Sequence, residues 1–146
     1  MAEDNRETRL AMLRYMEGQS IPRLEEAAER EMPGTDLPEK LREIERDHAQ
    51  HVRELDELLQ QLGRRPDVAL PATFRQALRM RLQAAREAPD WKDAVRELAG
   101  LERFQSEHYY EALRTWFMED DREMLGRHLA DEQRHEQMLH EFTQRI

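Results

Sequence analysis

Apolar residues recur at helical spacing in four long segments of the 146-residue chain, and this pattern predicts an all-α fold. Few stretches carry the β-branched residues that strands prefer. The four segments cover approximately residues 6–30, 37–62, 91–117 and 121–142. We expect them to form two helix pairs, at about 6–62 and 91–142, within a single domain of residues 1–146, because this length suits one domain.

Prolines and glycines mark the points where the helical pattern is interrupted. Pro22 lies inside the first segment, and we expect it to kink or restart that helix, since proline has no amide hydrogen and its ring clashes with the preceding turn. Gly63 is placed to end the second segment. Three later prolines bracket a shorter amphipathic stretch, about 72–87, within a connector of about 63–90, and a short acidic turn at 119–121 separates the last two segments. The chain is therefore predicted to be a four-helix bundle whose long crossover carries an extra short helix.

The composition of the chain limits the chemistry that it can perform. Its formal net charge of −9 argues against a nucleic-acid partner, because such binding depends on Lys and Arg that neutralise phosphates. The chain has no cysteine, which excludes disulfides, zinc knuckles and iron–sulfur clusters, so any bound metal must use Glu, Asp and His. No segment approaches the roughly 20 apolar residues that span a bilayer, and the first residues form no apolar signal core. We expect a cytoplasmic protein with no membrane partner.

Two Glu-x-x-His pairs fall on the apolar faces of their helices. Glu45 and His48 share a face of the second segment, because residues three apart on a helix point the same way. Glu132 and His135 share a face of the fourth segment for the same reason. Apolar residues continue the stripe on either side of each pair, so both pairs are expected to point into the core.

Two further carboxylates lie on the apolar stripes of the other two segments, Glu17 in the first and Glu102 in the third. The order repeats along the chain, since Glu17 recurs 85 positions later as Glu102 and Glu45 recurs 87 positions later as Glu132. A duplicated helical hairpin would leave such a pattern. Because a proline follows Glu17 five residues later, Glu25 is the alternative inward carboxylate of the first segment.

Four carboxylates and two imidazoles thus converge on the predicted core, and their charge needs compensation. An unpaired buried carboxylate is destabilising by several kcal/mol, whereas two divalent cations supply four positive charges. Any one residue of this kind is more often a solvated surface Glu or a hydrogen-bonded core His. The placement of all six on inward stripes favours a dinuclear metal site with the ligands Glu17, Glu45, His48, Glu102, Glu132 and His135.

This ligand set resembles that of a known class of helical metalloproteins. A Glu on each of two helices plus Glu-x-x-His on each of the other two is the pattern of ferritin-like di-iron or di-manganese carboxylate proteins. The chain is similar to a small rubrerythrin-like or bacterioferritin-like member of that superfamily. The stretch 131–135 resembles the last-helix motif of the family, and 99–102, leading to Tyr109 and Tyr110, resembles its third helix.

The resemblance implies a role for each residue. Asp131 would orient a histidine from across the bundle, although an exposed surface position is the other reading. Tyr109 would bond a ligand or donate an electron, unless it is an ordinary core tyrosine, and Gln105 stands where rubrerythrins often carry a further Glu. His51 and His128 lie near the ligand stripes, either around the ligands or at the surface. The bridging carboxylates would be Glu45 and Glu132, the terminal ones Glu17 and Glu102, and the nitrogen ligands His48 and His135.

The resemblance also implies a function. The expected cofactor is two iron ions, with manganese as the alternative, and the expected reactants are dioxygen or peroxide and an unidentified electron donor, as in a ferroxidase or peroxidase. The chain lacks the cysteine-bound iron centre that delivers electrons in rubrerythrins. The alternative is a non-catalytic ferritin-like bundle with a structural or vestigial metal site, acting in protein interaction or stress response. In either case a homo-oligomer such as a dimer is expected.

Overall fold

A computed structural model of the chain contains five α-helices and no strand in the residues that the structure describes, 2–30, 35–63, 70–115 and 119–144. The helices are α1 (Ala2–Ala28), α2 (Leu37–Gln61), α3 (Ala72–Glu87), α4 (Trp91–Thr115) and α5 (Glu119–Gln144). The predicted all-α fold is confirmed, and α3 has the bounds expected of the helix on the connector. None of the helices in these ranges is long and apolar enough to cross a membrane.

The structure differs from two expectations about helix boundaries. Of the kink or restart expected at Pro22, the restart is wrong, because α1 continues through the proline as one helix. Leu24, just beyond the proline, is buried, so packing compensates for the lost backbone hydrogen bond. Residues 119–121 form the first turn of α5 rather than a connecting turn. Acidic side chains are favourable there, since the N-terminus of a helix carries partial positive charge. The predicted end of the third segment at residue 117 and the connector residues 64–69 lie outside the described residues.

The four long helices contact one another in a closed order. α1 packs along α2, and α4 packs along α5, so both helix pairs are present. α1 also packs against α4, and α2 touches α5. Each long helix therefore has a neighbour on either side, and the four enclose a common interior.

That interior is built from one apolar stripe of each long helix. Fully burying a side chain of leucine size contributes roughly 1.5–3 kcal/mol, so a few such residues per helix fix which face turns inward. Residues with at most 1% of their surface exposed include Leu13, Met16, Leu41, Ile44, Leu55, Val95, Leu98, Leu125 and Leu139.

The connector helix α3 covers the outside of α1 and α4. Phe74 and Leu78 are its buried anchors. The Phe74 ring stacks on Phe104 of α4, with ring centroids 6.2 Å apart, and meets Tyr15 of α1 edge-on at 6.5 Å. These contacts hold the crossover against the first and third long helices.

A band of polar side chains crosses this apolar interior near the middle of the long helices. Its members are all at most 2% exposed, which is unusual for ionisable residues unless they are paired. We call this set the polar band, and it consists of Glu17, Ser20, His48, His51, Glu102, Gln105, His128, Glu132 and His135.

The end of α2 provides a test of the local conformation. Gly63 follows α2 with a φ of 75°, as expected of a glycine that ends a helix. A side chain disfavours this backbone conformation, so Gly63→Ala should lower the free energy of unfolding by about 1 kcal/mol. Gly126 lies inside α5, and a Cβ there would meet no atom within 4 Å. Gly126→Ala is the matched control and should raise stability by roughly 0.5–1 kcal/mol. Urea denaturation measures both, and an equal effect of the two substitutions would contradict this assignment.

Candidate metal centre

Six members of the polar band form two overlapping groups of potential metal ligands. The donor atoms within each group, one per residue, all lie within 4.8 Å of one another. Both groups contain His48 from α2 and Glu132 from α5. The first group is completed by Glu17 and His51, and the second by Glu102 and His135.

The first group is held by contacts between α1, α2 and α5. Both oxygens of the Glu17 carboxylate are engaged, Oε1 by His48 Nδ1 and Oε2 by His51 Nδ1. His51 Nδ1 also lies 3.3 Å from Glu132 Oε1. Since His48 and His51 are three residues apart on α2, they share the helix face that points at Glu17.

The second group joins α2, α4 and α5. His48 Nε2 lies 2.7 Å from Glu102 Oε1 and 3.7 Å from Glu132 Oε2. His135 Nδ1 lies 3.5 Å from Glu102 Oε1 and 3.9 Å from Glu132 Oε2. The two shared residues thus use different atoms in the two groups. His48 Nδ1 and Glu132 Oε1 face the first group, and His48 Nε2 and Glu132 Oε2 face the second.

Of the residues expected as ligands, the structure leaves only Glu45 outside these groups. Glu45 is half-buried, and partial burial and the nearby Glu25 raise its pKa. The expectation that it turns inward was wrong, because the buried stripe of α2 follows Ile44, His48 and His51. At 3.6 residues per turn Glu45 and His51 lie about 120° apart around the helix, so α2 cannot aim both at one point. Glu25, the alternative to Glu17, is exposed and lies outside both groups.

His51 and Asp47 are the residues that sequence reasoning undervalued. The apolar stripe of α2 places His51 only near the ligands and does not point to Asp47. A signal for both exists in the sequence, since Asp-x-x-x-His occurs at 47–51 and again 84 positions later at 131–135. Aligned in this way, His48 corresponds to Glu132 and His51 corresponds to His135.

The two aspartates of this repeat hold the outer nitrogens of two histidines. His51 Nε2 donates to Asp131 at 2.8 Å, and His135 Nε2 donates to Asp47 at 2.7 Å. Arg134 donates to both carboxylates. A carboxylate bound to the outer N–H fixes the ring so that its inner nitrogen, once it has lost its proton, can ligate a metal ion. Asp131 therefore lies across the helices from His51 and holds its outer nitrogen.

Two atoms of the second group test directly whether a cation fits. His135 Nδ1 and Glu102 Oε2 are both buried, and neither makes a hydrogen bond to the described residues. An unsatisfied buried polar atom is destabilising by roughly 1–3 kcal/mol, and more when it is charged. A metal ion between them would satisfy both atoms, so the donor set fits a bound cation.

Negative charge is unevenly distributed among the three carboxylates of the two donor groups. Burial opposes the ionisation of Glu17, but His48 and His51 together outweigh it and hold the pKa of Glu17 well below its usual range. Burial also opposes the ionisation of Glu102, but its neighbours His48, Glu132 and His135 together outweigh burial and lower its pKa. Burial and the two neighbouring carboxylates raise the pKa of Glu132 well above its usual range. Without a cation, the cluster therefore keeps a proton on Glu132.

His48 carries the compensating positive charge in this cation-free state. Burial opposes its protonation, but Glu102 and Glu17 outweigh burial and raise the pKa of His48 well above its usual value. Protons on His48 and Glu132 thus do part of the work that a metal ion would do, and a bound cation has to displace them.

Tyr109 connects the first group to a hydrogen-bonded chain. Its hydroxyl donates to Glu17 Oε2 at 3.0 Å and lies 3.1 Å from His128 Nδ1. His128 Nε2 lies 3.1 Å from Glu54 Oε1 near the surface, and the His128 ring stacks on His51 at 4.0 Å. Tyr109, expected on the face of the site, therefore contacts a candidate ligand directly.

Gln105 of α4 is buried and contacts Ser20 of α1. With its amide nitrogen turned toward the cluster, it donates to Glu132 Oε2 at 3.0 Å and to Glu17 Oε1 at 3.1 Å. This orientation places a donor against negative oxygens, so Gln105 positions Glu17 and Glu132.

Comparison with protein-family models, with curated proteins and with solved structures found no match to this chain. The fold and the site therefore define its class by themselves: an all-helical protein whose interior contains a buried Glu and His cluster that could hold metal.

The state of His128 predicts how stability depends on pH. Burial and the nearby His51 lower the pKa of His128 to about 4. The unfolded chain, with a histidine pKa of about 6.5, takes up a proton there before the folded chain does, so the free energy of unfolding falls as pH drops from about 6.5 to 4. Replacing His128 with Gln removes this contribution.

We therefore expect the His128→Gln variant to gain on the order of 2–3 kcal/mol relative to wild type between pH 7 and pH 4. Urea denaturation in the presence of chelator at several pH values measures the difference. Parallel stability curves for the two proteins would contradict the assigned state of His128.

Proposed function

We propose that the chain is a dinuclear metal-binding redox protein that holds two iron ions, with manganese as the alternative. The observation that carries this proposal is the pair of overlapping donor groups that share His48 and Glu132. The unsatisfied atoms of His135 and Glu102 add to it. Carboxylates and imidazoles together suit iron and manganese, and each group offers two nitrogens and two oxygens.

The proposed fold is a ferritin-like four-helix bundle in a single domain. α1, α2, α4 and α5 would be the helices of the bundle, and α3 would lie on the long crossover between the two pairs. The closed order of contacts between the long helices supports this arrangement. One candidate ligand comes from each of α1 and α4, and two come from each of α2 and α5, which is the distribution that such bundles use.

The proposed reaction is the reduction of dioxygen or peroxide, as in a ferroxidase or peroxidase. Two such ions supply electrons and positive charge to a bound oxidant. The side chains of this chain would hold and orient the site: Asp131 and Asp47 fix the rings of His51 and His135, and the Tyr109 hydroxyl holds Glu17. Electrons would come from an external donor, since the chain has no cysteine for an iron–sulfur or rubredoxin-type centre.

A second candidate function is a non-catalytic helical protein with a structural metal ion or none. One observation favours it: His48 lies between Glu17 and Glu102 and pairs with both carboxylates. A protonated His48 would then serve as the internal positive charge, and the cluster would be a structural network. Such a protein would act through its surface, in protein interaction or stress response.

Metal stoichiometry separates these functions and tests the ligand assignment. Wild-type protein titrated anaerobically with ferrous iron should bind two ions per chain. Each ion present at 100 times its dissociation constant should raise the free energy of unfolding by about 2.7 kcal/mol. The Glu132→Gln variant should bind at least one ion fewer, because Glu132 belongs to both groups. Glu45→Gln is the matched control and should still bind two.

Exposure of the ferrous protein to oxygen or peroxide then tests the redox function. An optical change upon mixing is expected of the redox protein, whereas bound metal without such a change favours the structural function. Failure of the wild type to bind metal, or an equal loss in the Glu45→Gln variant, would refute the assigned centre.

A further inference from the structure

The ring of His48 is placed differently from those of the other two histidines in the cluster. The ring is completely buried. Its Nδ1 contacts Glu17 Oε1, and its Nε2 lies 2.7 Å from Glu102 Oε1. Glu17 belongs to the first donor group and Glu102 to the second. The ring therefore stands between the groups and turns one nitrogen toward each.

His51 and His135 show the ordinary arrangement of a terminal ligand. Each uses its Nε2 to bind an aspartate outside the cluster, Asp131 or Asp47, and turns only Nδ1 inward. The contacts of His48 lie instead with carboxylates of the cluster itself. An outer hydrogen bond fixes a histidine as a ligand for one ion, and His48 has both nitrogens facing candidate ions.

Glu132 has the same relation to the two groups as His48. Its Oε1 lies 3.3 Å from His51 Nδ1 in the first group, and its Oε2 lies 3.7 Å from His48 Nε2 and 3.9 Å from His135 Nδ1 in the second. Each group thereby receives one atom from each shared residue. The resulting donor sets are equivalent, with two nitrogens and two oxygens apiece.

We propose that His48 is a bridging ligand that binds one metal ion through Nδ1 and the other through Nε2, an inference that rests on the dinuclear centre proposed above. The resemblance to ferritin-like proteins implies Glu45 as the bridging ligand from α2, whereas in the structure His48 is the α2 residue that belongs to both groups. A ring bound through both nitrogens has released its N–H protons to the solvent and counts as one negative charge. With the three carboxylates it gives four negative charges, which match two divalent ions.

A ring bridge also sets the spacing of the ions. Metal–nitrogen bonds of about 2.0–2.1 Å on either side of an imidazole place the ions roughly 6 Å apart, against about 3.5–4 Å in compact dinuclear sites. The aromatic ring is rigid, so the spacing is fixed by the ligand itself. A site of this kind binds a small oxidant in a wider gap than a purely carboxylate-bridged site does.

Zinc binding followed by nitrogen NMR tests the bridge in the unaltered protein. Zn²⁺ is diamagnetic and redox-inert, so its signals report coordination alone. In ¹⁵N-labelled wild type with two equivalents of Zn²⁺, both ring nitrogens of His48 should take metal-bound shifts and the ring should carry no N–H. His51 and His135 should shift at Nδ1 only and keep the proton on Nε2. A proton retained on either nitrogen of His48 at full occupancy would overturn the proposal.

Three single substitutions test the same point by affinity, measured by calorimetric titration with Zn²⁺. His48→Gln should lower the affinity for both ions. The loss should exceed roughly 10- to 100-fold, which is the effect of removing only the hydrogen-bond partner of a ligand. His51→Gln and His135→Gln should each lower the affinity for one ion only. His140→Gln removes an exposed histidine and is the matched control, for which no change is expected.

The outcomes separate the bridge from the centre on which it rests. Wild type that binds no Zn²⁺ would refute the dinuclear centre together with the bridge. If wild type binds two ions and the His48→Gln variant still binds one or both of them, the bridge is overturned but the dinuclear centre is supported. Circular dichroism checks that each variant is folded, and if His48→Gln is not, the NMR result on wild type decides.

Discussion

The structure depends on one electrostatic constraint, which is that three carboxylates lie buried in the interior of the protein. Glu17, Glu102 and Glu132 are each at most 2% exposed, and charges in such surroundings interact strongly and are poorly screened. The chain can compensate them with protons, on His48 and Glu132, or with cations. Both solutions use the same side chains, so the arrangement that holds the apoprotein together is also the arrangement that could receive metal.

The cluster also contributes to the packing of the helices around it. α2 and α5 share less backbone contact than the other neighbouring long helices, and the polar band closes the space between them. Two reciprocal hydrogen bonds join the halves of the chain across this space. Asp47 of α2 binds His135 of α5, and Asp131 of α5 binds His51 of α2. Removal of the cluster would therefore weaken the fold where neighbouring long helices have the least backbone contact.

Most of the fold and much of the site could be predicted from the sequence. Helical periodicity was enough to place the helices and the bounds of α3, because a wide apolar stripe is insensitive to small errors in register. Individual ligands are more sensitive, and Glu45 shows why: it lies at the edge of the stripe of α2, four residues after Leu41, where periodicity alone cannot separate an inward from a sideways side chain. The course of α1 through Pro22 depends on tertiary packing, which no local pattern contains.

Anomalous X-ray diffraction from crystals grown with ferrous iron would test the central claim most directly. The account predicts two anomalous peaks inside the helices, one beside Glu17 and His51 and the other beside Glu102 and His135, with His48 between them. A structure in which these side chains remain hydrogen-bonded to one another, with no anomalous peak in the interior, would contradict it.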